Sequence, residues 1–319
     1  METRGDPYPA LFRAGVERFT QLMLARLREG QGPVPPADVD QALHLLGFSL
    51  KLSESWLSAR ELTLMLAPKM EQQGARHELE AVLESALVKS KEYGDLAAEA
   101  ELRWHLGVLC HLQARYPEAR VHLEASVALY ERLGTGREQA RALTRLASVA
   151  RQQRRLDEAE RLIEEAFSLR SPGEPPVAYA LSVRGQIALE QSRYDQAAEL
   201  FQQALDLSEA GEDRRMAAWL WVNRGMALWR LGRIQEAGAC YHRAIELFDL
   251  VDDPVHQAVA LMDLGILHSM QNEPTEALAY YAQAEPILRK AGDNHHLALL
   301  YNNIGYACDT SHGLKPSGF

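Results

Sequence analysis

Apolar residues recur along most of the chain at steps of three and four positions, on both sides of short polar breaks such as QARYPEAR, QSRYDQAA and LGRIQEAG. This spacing places the apolar side chains on one face of a helix, so each stretch predicts two antiparallel helices joined by a short turn. Polar junctions such as GTGRE, AGEDRR and AGDNH separate successive pairs and supply caps and turns. The pattern therefore predicts an all-α protein built of helical hairpins.

The hairpins repeat with a nearly constant period, marked by a small anchor residue in each first helix. The anchors follow one another at spacings of 40, 38, 40, 40 and 40 residues: Gly107, Ala147, Gly185, Gly225, Gly265 and Gly305. Twelve residues after each anchor but the last comes an alanine: Ala119, Ala159, Ala197, Ala237 and Ala277. Four residues further on stands a large apolar residue: Leu123, Ile163, Phe201, Tyr241 and Tyr281. We expect each small anchor to let the two backbones of a hairpin approach closely, with the large residue packed beside it.

One hairpin cannot bury its apolar face alone, so the hairpins must stack. Ala67 continues the anchor column upstream, which makes residues 56–93 a divergent unit. The resulting division is a helical N-terminal cap over 1–55, an array of about six units over 56–310 with the last incomplete, and a disordered tail over 311–319. The break SPGEPP at Ser171–Pro176 is either a rigid loop or a kink.

These columns resemble the tetratricopeptide repeat family, whose pattern is carried by Trp221, Gly225, Ala237, Tyr241 and Ala244. The period of about 40 residues exceeds the 34 that are usual for the family. In this respect the chain resembles the long-repeat members, which include kinesin light chains and the sensor arms of bacterial regulators. The resemblance implies a right-handed α-solenoid, a superhelix of stacked antiparallel helix pairs, with a concave groove lined by the first helix of each pair.

The last unit has a first helix but no second one, because DTSHGLKPSGF contains Gly and Pro, which are poor helix formers. Leu297, Leu300, Tyr301 and Ile304 would then lack a covering helix. Either the chain is part of a longer protein, or this end associates with a second copy to form a homo-oligomer.

Composition narrows the functional classes. The net charge is −10, which disfavours a nucleic-acid partner, since such surfaces need clustered Lys and Arg. No apolar run is long enough for a membrane helix, and the N-terminus lacks the features of a secretory signal. Three cysteines in 319 residues do not make a disulfide framework, which favours a cytoplasmic protein.

The sequence contains no motif of an enzyme, cofactor site or metal site. GK[ST] phosphate loops, GxGxxG, GxSxG and HExxH are all missing, and paired carboxylates such as Glu164 and Glu165 fit a solvated helix face. His295 and His296 are adjacent on a helix and point apart, so they fit a cap better than a metal site. We therefore predict a non-enzymatic protein without cofactor or metal.

In the resembling family, partners bind at fixed positions around each anchor. When these positions are transferred to this sequence, the resemblance implies a partner-binding groove of mainly apolar and asparagine residues in the C-terminal half. They are Trp219, Val222, Asn223, Met226, Trp229, Met262, Ile266, Met270, Asn302, Asn303 and Tyr306. The middle units offer polar residues instead, among them Arg141, Thr144 and Ser148. An exposed apolar stripe of this kind marks a partner site, whereas a buried one belongs to the core.

The sequence thus predicts a scaffold that binds a protein or peptide partner in its groove, as a docking or sensing arm of bacterial regulation. Two alternatives stay open. One is a self-associating adaptor that oligomerises through its C-terminal end. The other is a small-molecule-sensing arm with a pocket between Trp219, Trp229 and Met262.

Overall fold

A computed structural model describes residues 8–29, 34–73, 76–169, 177–210 and 213–311. Over these ranges the chain forms fifteen α-helices and one 3₁₀ turn at Ser53–Ser55, and contains no strand. The chain divides into two compact units, Met1–Pro172 and Gly173–Phe319. The break SPGEPP at the border of the units lies outside the described residues.

Unit 1 contains eight helices. Their bounds are α1 Tyr8–Glu29, α2 Pro36–Ser49, α3 Trp56–Gln73, α4 Arg76–Glu92, α5 Leu96–Leu112, α6 Tyr116–Leu133, α7 Gly136–Gln152 and α8 Leu156–Ser168.

Unit 2 contains seven helices. Their bounds are α9 Ala178–Glu190, α10 Tyr194–Ala210, α11 Arg214–Arg230, α12 Ile234–Leu250, α13 Pro254–Met270, α14 Pro274–Ala291 and α15 Asn294–Ser311.

Within each unit, every helix packs against the helix that precedes it and the helix that follows it. First helices also contact each other across a pair, as α3 does with α5 and α13 with α15. This packing confirms the predicted α-solenoid architecture of stacked antiparallel pairs.

The anchor column works as the sequence predicts. A Cβ placed on Gly185 would lie 2.7 Å from the Phe201 ring, and a Cβ on Gly225 would lie 2.9 Å from the Tyr241 ring. Both distances are shorter than a carbon–carbon contact allows. The large side chain of the second helix therefore occupies the volume that the missing side chain leaves.

Aspartates cap the first helices at the predicted polar junctions. Asp213, Asp253 and Asp293 follow the repeat period, and each side chain accepts a hydrogen bond from the backbone amide three residues later. Asp95 does the same for α5. An N-cap of this type satisfies an amide that the helix leaves unpaired, which fixes where each hairpin begins.

The N-terminal helices share one core with the first repeats. Leu24 of α1 and Leu46 of α2 are fully buried in the same cluster as Leu62, Leu83 and Leu102. The expected helical cap is thus joined to the array by a continuous apolar interior. The proposed borders at residues 55 and 310 stay predictions.

The C-terminal end differs in part from the expectation. Leu300 is fully buried against α13 and α14, and Leu297 and Ile304 are half-buried against the same cluster, so the prediction that Leu300 lacks a cover is wrong. Tyr301 is exposed, but its hydroxyl donates to Glu285 and accepts from Arg289, each at 2.6 Å. The preceding pair covers one side of α15, and among the described helices none lies on its other side. Helix α15 runs to Ser311, and residues 312–319 lie outside the described part of the chain.

Candidate functional site

The candidate site is the face that α11, α13 and α15 form in unit 2, which we call the first-helix face. Helix periodicity and the anchor glycines set its register, because Met226, Ile266 and Tyr306 each directly follow an anchor. These three side chains therefore occupy equivalent positions on successive first helices. Their exposure rises along the row, from half-buried Met226 and Ile266 to Tyr306, which is 40% exposed.

The predicted site residues divide into accessible and buried groups. Those that retain accessible surface are Trp219, Asn223, Met226, Trp229, Ile266, Met270, Asn302, Asn303 and Tyr306. Met270 is the most exposed of the apolar ones, at 57%.

Val222 and Met262 belong to the core rather than to the accessible face. Val222 is 5% exposed and Met262 is 4% exposed. Both stand three residues before an anchor, at equivalent positions of successive first helices. A pocket between Trp219, Trp229 and Met262 would need the Met262 side chain at its wall, and that side chain is packed with Leu261 and Tyr281 instead.

Trp219 lies over a contact between successive hairpins. Its indole ring meets His256 of α13 at 4.5 Å and Phe248 of α12 at 5.6 Å, in edge-to-face geometry. His256 is held in turn by Asp253, whose carboxylate lies 2.7 Å from its Nδ1. Trp219 thus contributes to the packing between successive hairpins, and the residue is still 36% exposed at the surface.

A positively charged side chain lies over the face of the Trp229 ring. The Arg230 guanidinium stands 4.6 Å from the ring centroid, within the range of a cation–π interaction. Because Trp229 and Met270 lie near the C-terminal ends of α11 and α13, they form the apolar border of the first-helix face at this end of the hairpins.

The face also contains Asp263, which stands two residues before the anchor Gly265 and is not among the predicted site residues. Burial raises the pKa of the Asp263 carboxyl to about 7, while the charge of His296 acts in the opposite direction. Within the described residues the carboxyl has no hydrogen-bond partner or ion-pair partner, although Asn223 and Asn303 occupy the same column on the adjacent first helices. The repeat register could have identified Asp263, because an acidic side chain stands there at a position where the adjacent repeats have asparagine.

The corresponding positions of unit 1 form a polar network. The guanidinium of Arg141 lies 4.1 Å from the Trp104 ring centroid and pairs with Glu101, which also accepts the hydroxyl of Tyr130. Thr144 and Ser148 are buried. Arg141 is thus used in a contact between helices, whereas the Thr144 hydroxyl donates to the Ala140 carbonyl of its own helix.

The described helices hold no group of three or more His, Cys, Asp or Glu side chains that could bind a metal ion. The two close histidine–aspartate pairs, His256 with Asp253 and His296 with Asp293, are helix N-caps in successive repeats. A separate search of the described helices finds none with the length and apolar content needed to span a membrane.

Comparison with known protein families identifies the same repeat. The tetratricopeptide repeat model matches residues 138–210 and 216–290, which cover α7 to α14. A search of curated proteins finds no match.

Many solved structures resemble this chain, among them the following two. A Rap protein complexed with competence and sporulation factor is 14% identical, with a TM-score of 0.64, and the match covers 96% of this chain and 88% of that one. BtubC from P. vanneervenii is 20% identical, with a TM-score of 0.54, and the match covers 73% of this chain and 92% of that one. At these identities the likeness is one of fold.

Proposed function

Because this chain belongs to the tetratricopeptide repeat family, we propose that it is a non-enzymatic scaffold whose first-helix face in unit 2 binds a protein or peptide partner. One observation carries the proposal. Met226, Ile266 and Tyr306 occupy the same position on three successive first helices and retain accessible surface there, with exposed Met270 beside them. Apolar side chains left accessible in such a row provide an interaction surface.

The chemistry of this face suits a peptide with apolar anchors. Met side chains adapt to irregular partners, and Trp229 and Tyr306 offer flat rings. The amides of Asn223, Asn302 and Asn303 can donate to and accept from the backbone of an extended segment. A partner therefore gains main-chain hydrogen bonds along the helices and apolar contacts between them.

We further propose that the chain acts as a docking or sensing arm in bacterial regulation and resides in the cytoplasm. The Rap protein, which shares this fold, is described in complex with competence and sporulation factor, and this supports a helical stack of this kind as a holder of a partner. The three cysteines are free and two of them are buried, which supports a reducing compartment.

The test selects peptides on the wild-type chain from a displayed random library and compares their affinities for variants by fluorescence polarisation. We expect Trp229→Ala combined with Met270→Ala to weaken binding by about tenfold or more, equivalent to about 1.4 kcal/mol. Helicity should stay at the wild-type level because neither side chain is fully buried.

Val121→Ala is the matched control, because Val121 is 61% exposed on α6 and lies outside the first-helix face. It should leave the affinity unchanged. Selected peptides that bind the double variant as tightly as the wild type would refute this assignment of the face.

A further inference from the structure

Helix α1 is apolar on two faces, and only one of them is covered. Met23, Leu24 and Leu27 are buried in the core cluster of unit 1, and Val16 and Thr20 on the same face are also buried. The other apolar face is exposed: Leu11 is 66% exposed, Phe12 53%, Phe19 60% and Leu22 55%. A 3.6-residue helix places these four side chains within a single arc, together with Gly15. We call this arc the α1 seam.

The seam extends onto α2. The ring of Phe48 meets that of Phe12 edge to face at 5.7 Å, and Phe48 itself is 37% exposed. Isolated exposed apolar side chains are normal, but five of them on neighbouring turns of α1 and on α2 form a patch of the kind that marks an interaction site. The described part of the chain places no other element over it.

The spacing of the seam is that of a helix–helix contact. Phe12, Gly15, Phe19 and Leu22 follow one another at steps of three, four and three residues, as in the apolar seam of a coiled coil. The series Leu11, Phe12, Gly15, Phe19, Leu22 also reads nearly the same in both directions. An antiparallel copy would place Phe12 beside Phe19 and Leu11 beside Leu22, which is the self-complementarity that a two-fold interface requires.

Gly15 stands near the centre of this series, where two such helices would cross. A Cβ built on Gly15 meets none of the described atoms within 4 Å, so no packing within the described part of the chain accounts for the missing side chain. A glycine at a crossing point lets two helix backbones approach closely and brings the flanking rings into contact.

Charge argues against an anionic membrane as the occupant. Helix α1 contains four arginines, but Arg13 pairs with Glu54, Arg26 with Asp38 and Arg28 with Glu61. A helix that binds an acidic lipid surface needs arginines available to the headgroups, and three of these four are already neutralised. The contact that the seam offers is therefore mainly apolar.

We propose that the α1 seam is a homodimer interface, in which α1 packs antiparallel against α1 of a second copy of this chain. This interface is independent of the first-helix face and of the C-terminal end at which the sequence suggested association. The seam covers only about three helical turns, roughly 16 Å, so we expect a dimer of micromolar rather than nanomolar affinity.

Sedimentation velocity of the full chain over about two decades of micromolar concentration measures the equilibrium. We expect a reversible monomer–dimer transition, and we expect Phe19→Glu to raise the dissociation constant by at least about tenfold, because a carboxylate would be desolvated at the interface. Val121→Glu introduces the same charge on α6 and should leave the constant unchanged. Circular dichroism confirms that both variants keep their helicity.

A covalent trap tests the geometry in a Cys308→Ser background, because the other two cysteines are buried. Gly15→Cys should form a disulfide-linked dimer on mild oxidation, whereas Gln21→Cys, on the side of α1 away from the seam, should not. A chain that stays monomeric at every concentration, or a dimer that Phe19→Glu leaves intact, would overturn the proposal. So would a monomer that floats with anionic vesicles through the same residues, since the seam would then be a membrane face.

Discussion

At an anchor glycine that faces an aromatic ring, one added methyl group would disturb the packing of the two helices of the repeat, and the anchor column allows this to be measured. At Gly225 a Cβ would lie 2.9 Å from the Tyr241 ring, whereas at Gly305 it would meet none of the described atoms within 4 Å. The two glycines hold the same place in the repeat, but in the part of the chain that the structure describes only the first has a second helix beside it.

We expect Gly225→Ala to lower the free energy of unfolding by about 2 kcal/mol, since the tyrosine ring or the helix must shift to admit the methyl group. Gly305→Ala should instead raise it, by up to about 1 kcal/mol, because alanine is the better helix former and has room. Urea unfolding followed by circular dichroism measures both. Equal effects at the two positions would contradict the packing role of the anchor.

The carboxyl of half-buried Asp263 makes stability depend on pH. Its pKa in the folded chain is about 7, well above the ordinary value of about 3.9 that holds in the unfolded chain. Between these values the folded protein keeps a proton that the unfolded chain has lost, so stability falls as the pH rises through this window. Above pH 7 the folded protein holds a desolvated charge.

We expect Asp263→Asn to match the wild type near pH 4 and to be more stable at pH 8, by up to about 4 kcal/mol. Thermal unfolding at a series of pH values gives the difference curve. Asp309→Asn, on an exposed part of α15, should leave the pH dependence unchanged. A difference of the same size at pH 4 and pH 8 would show that the charge of Asp263 is not the cause.

At the scale of the helix, periodicity alone predicted most of what the structure contains. The steps of three and four placed the hairpins, and the anchor spacing placed Gly185 against Phe201 and Gly225 against Tyr241. These features are local or recur at a fixed distance along the chain, so one sequence is enough to identify them. The caps at Asp213, Asp253 and Asp293 were equally predictable, since each stands in a polar junction.

Contacts between helices from different hairpins were harder to predict. Val222 and Met262 looked like partner-binding positions, yet they are buried between neighbouring helices, and Leu300 is covered by the preceding pair. The second apolar face of α1 was missed because Leu11 and Phe19 fit the same periodicity as the core residues. Apolar spacing identifies a helix face, but it does not say whether another element covers that face.

At the scale of the whole molecule, contacts run between sequence neighbours. Each helix packs against the ones before and after it within its unit, and the described helices have few contacts beyond the next pair. In such an array stability is approximately a sum of local terms and nearest-neighbour interfaces, so a local defect should stay local.

Gly225→Ala tests this by hydrogen exchange with mass spectrometry on the full chain. We expect faster exchange in α11 and α12, where the Tyr241 ring must move, and a smaller increase in α10 and α13. The amides of α3 to α5 should exchange as in the wild type, because they belong to a different unit with its own core. An equal loss of protection from α3 to α15 would mean that the chain unfolds as one cooperative body, and the repeats would then not be separable elements of stability.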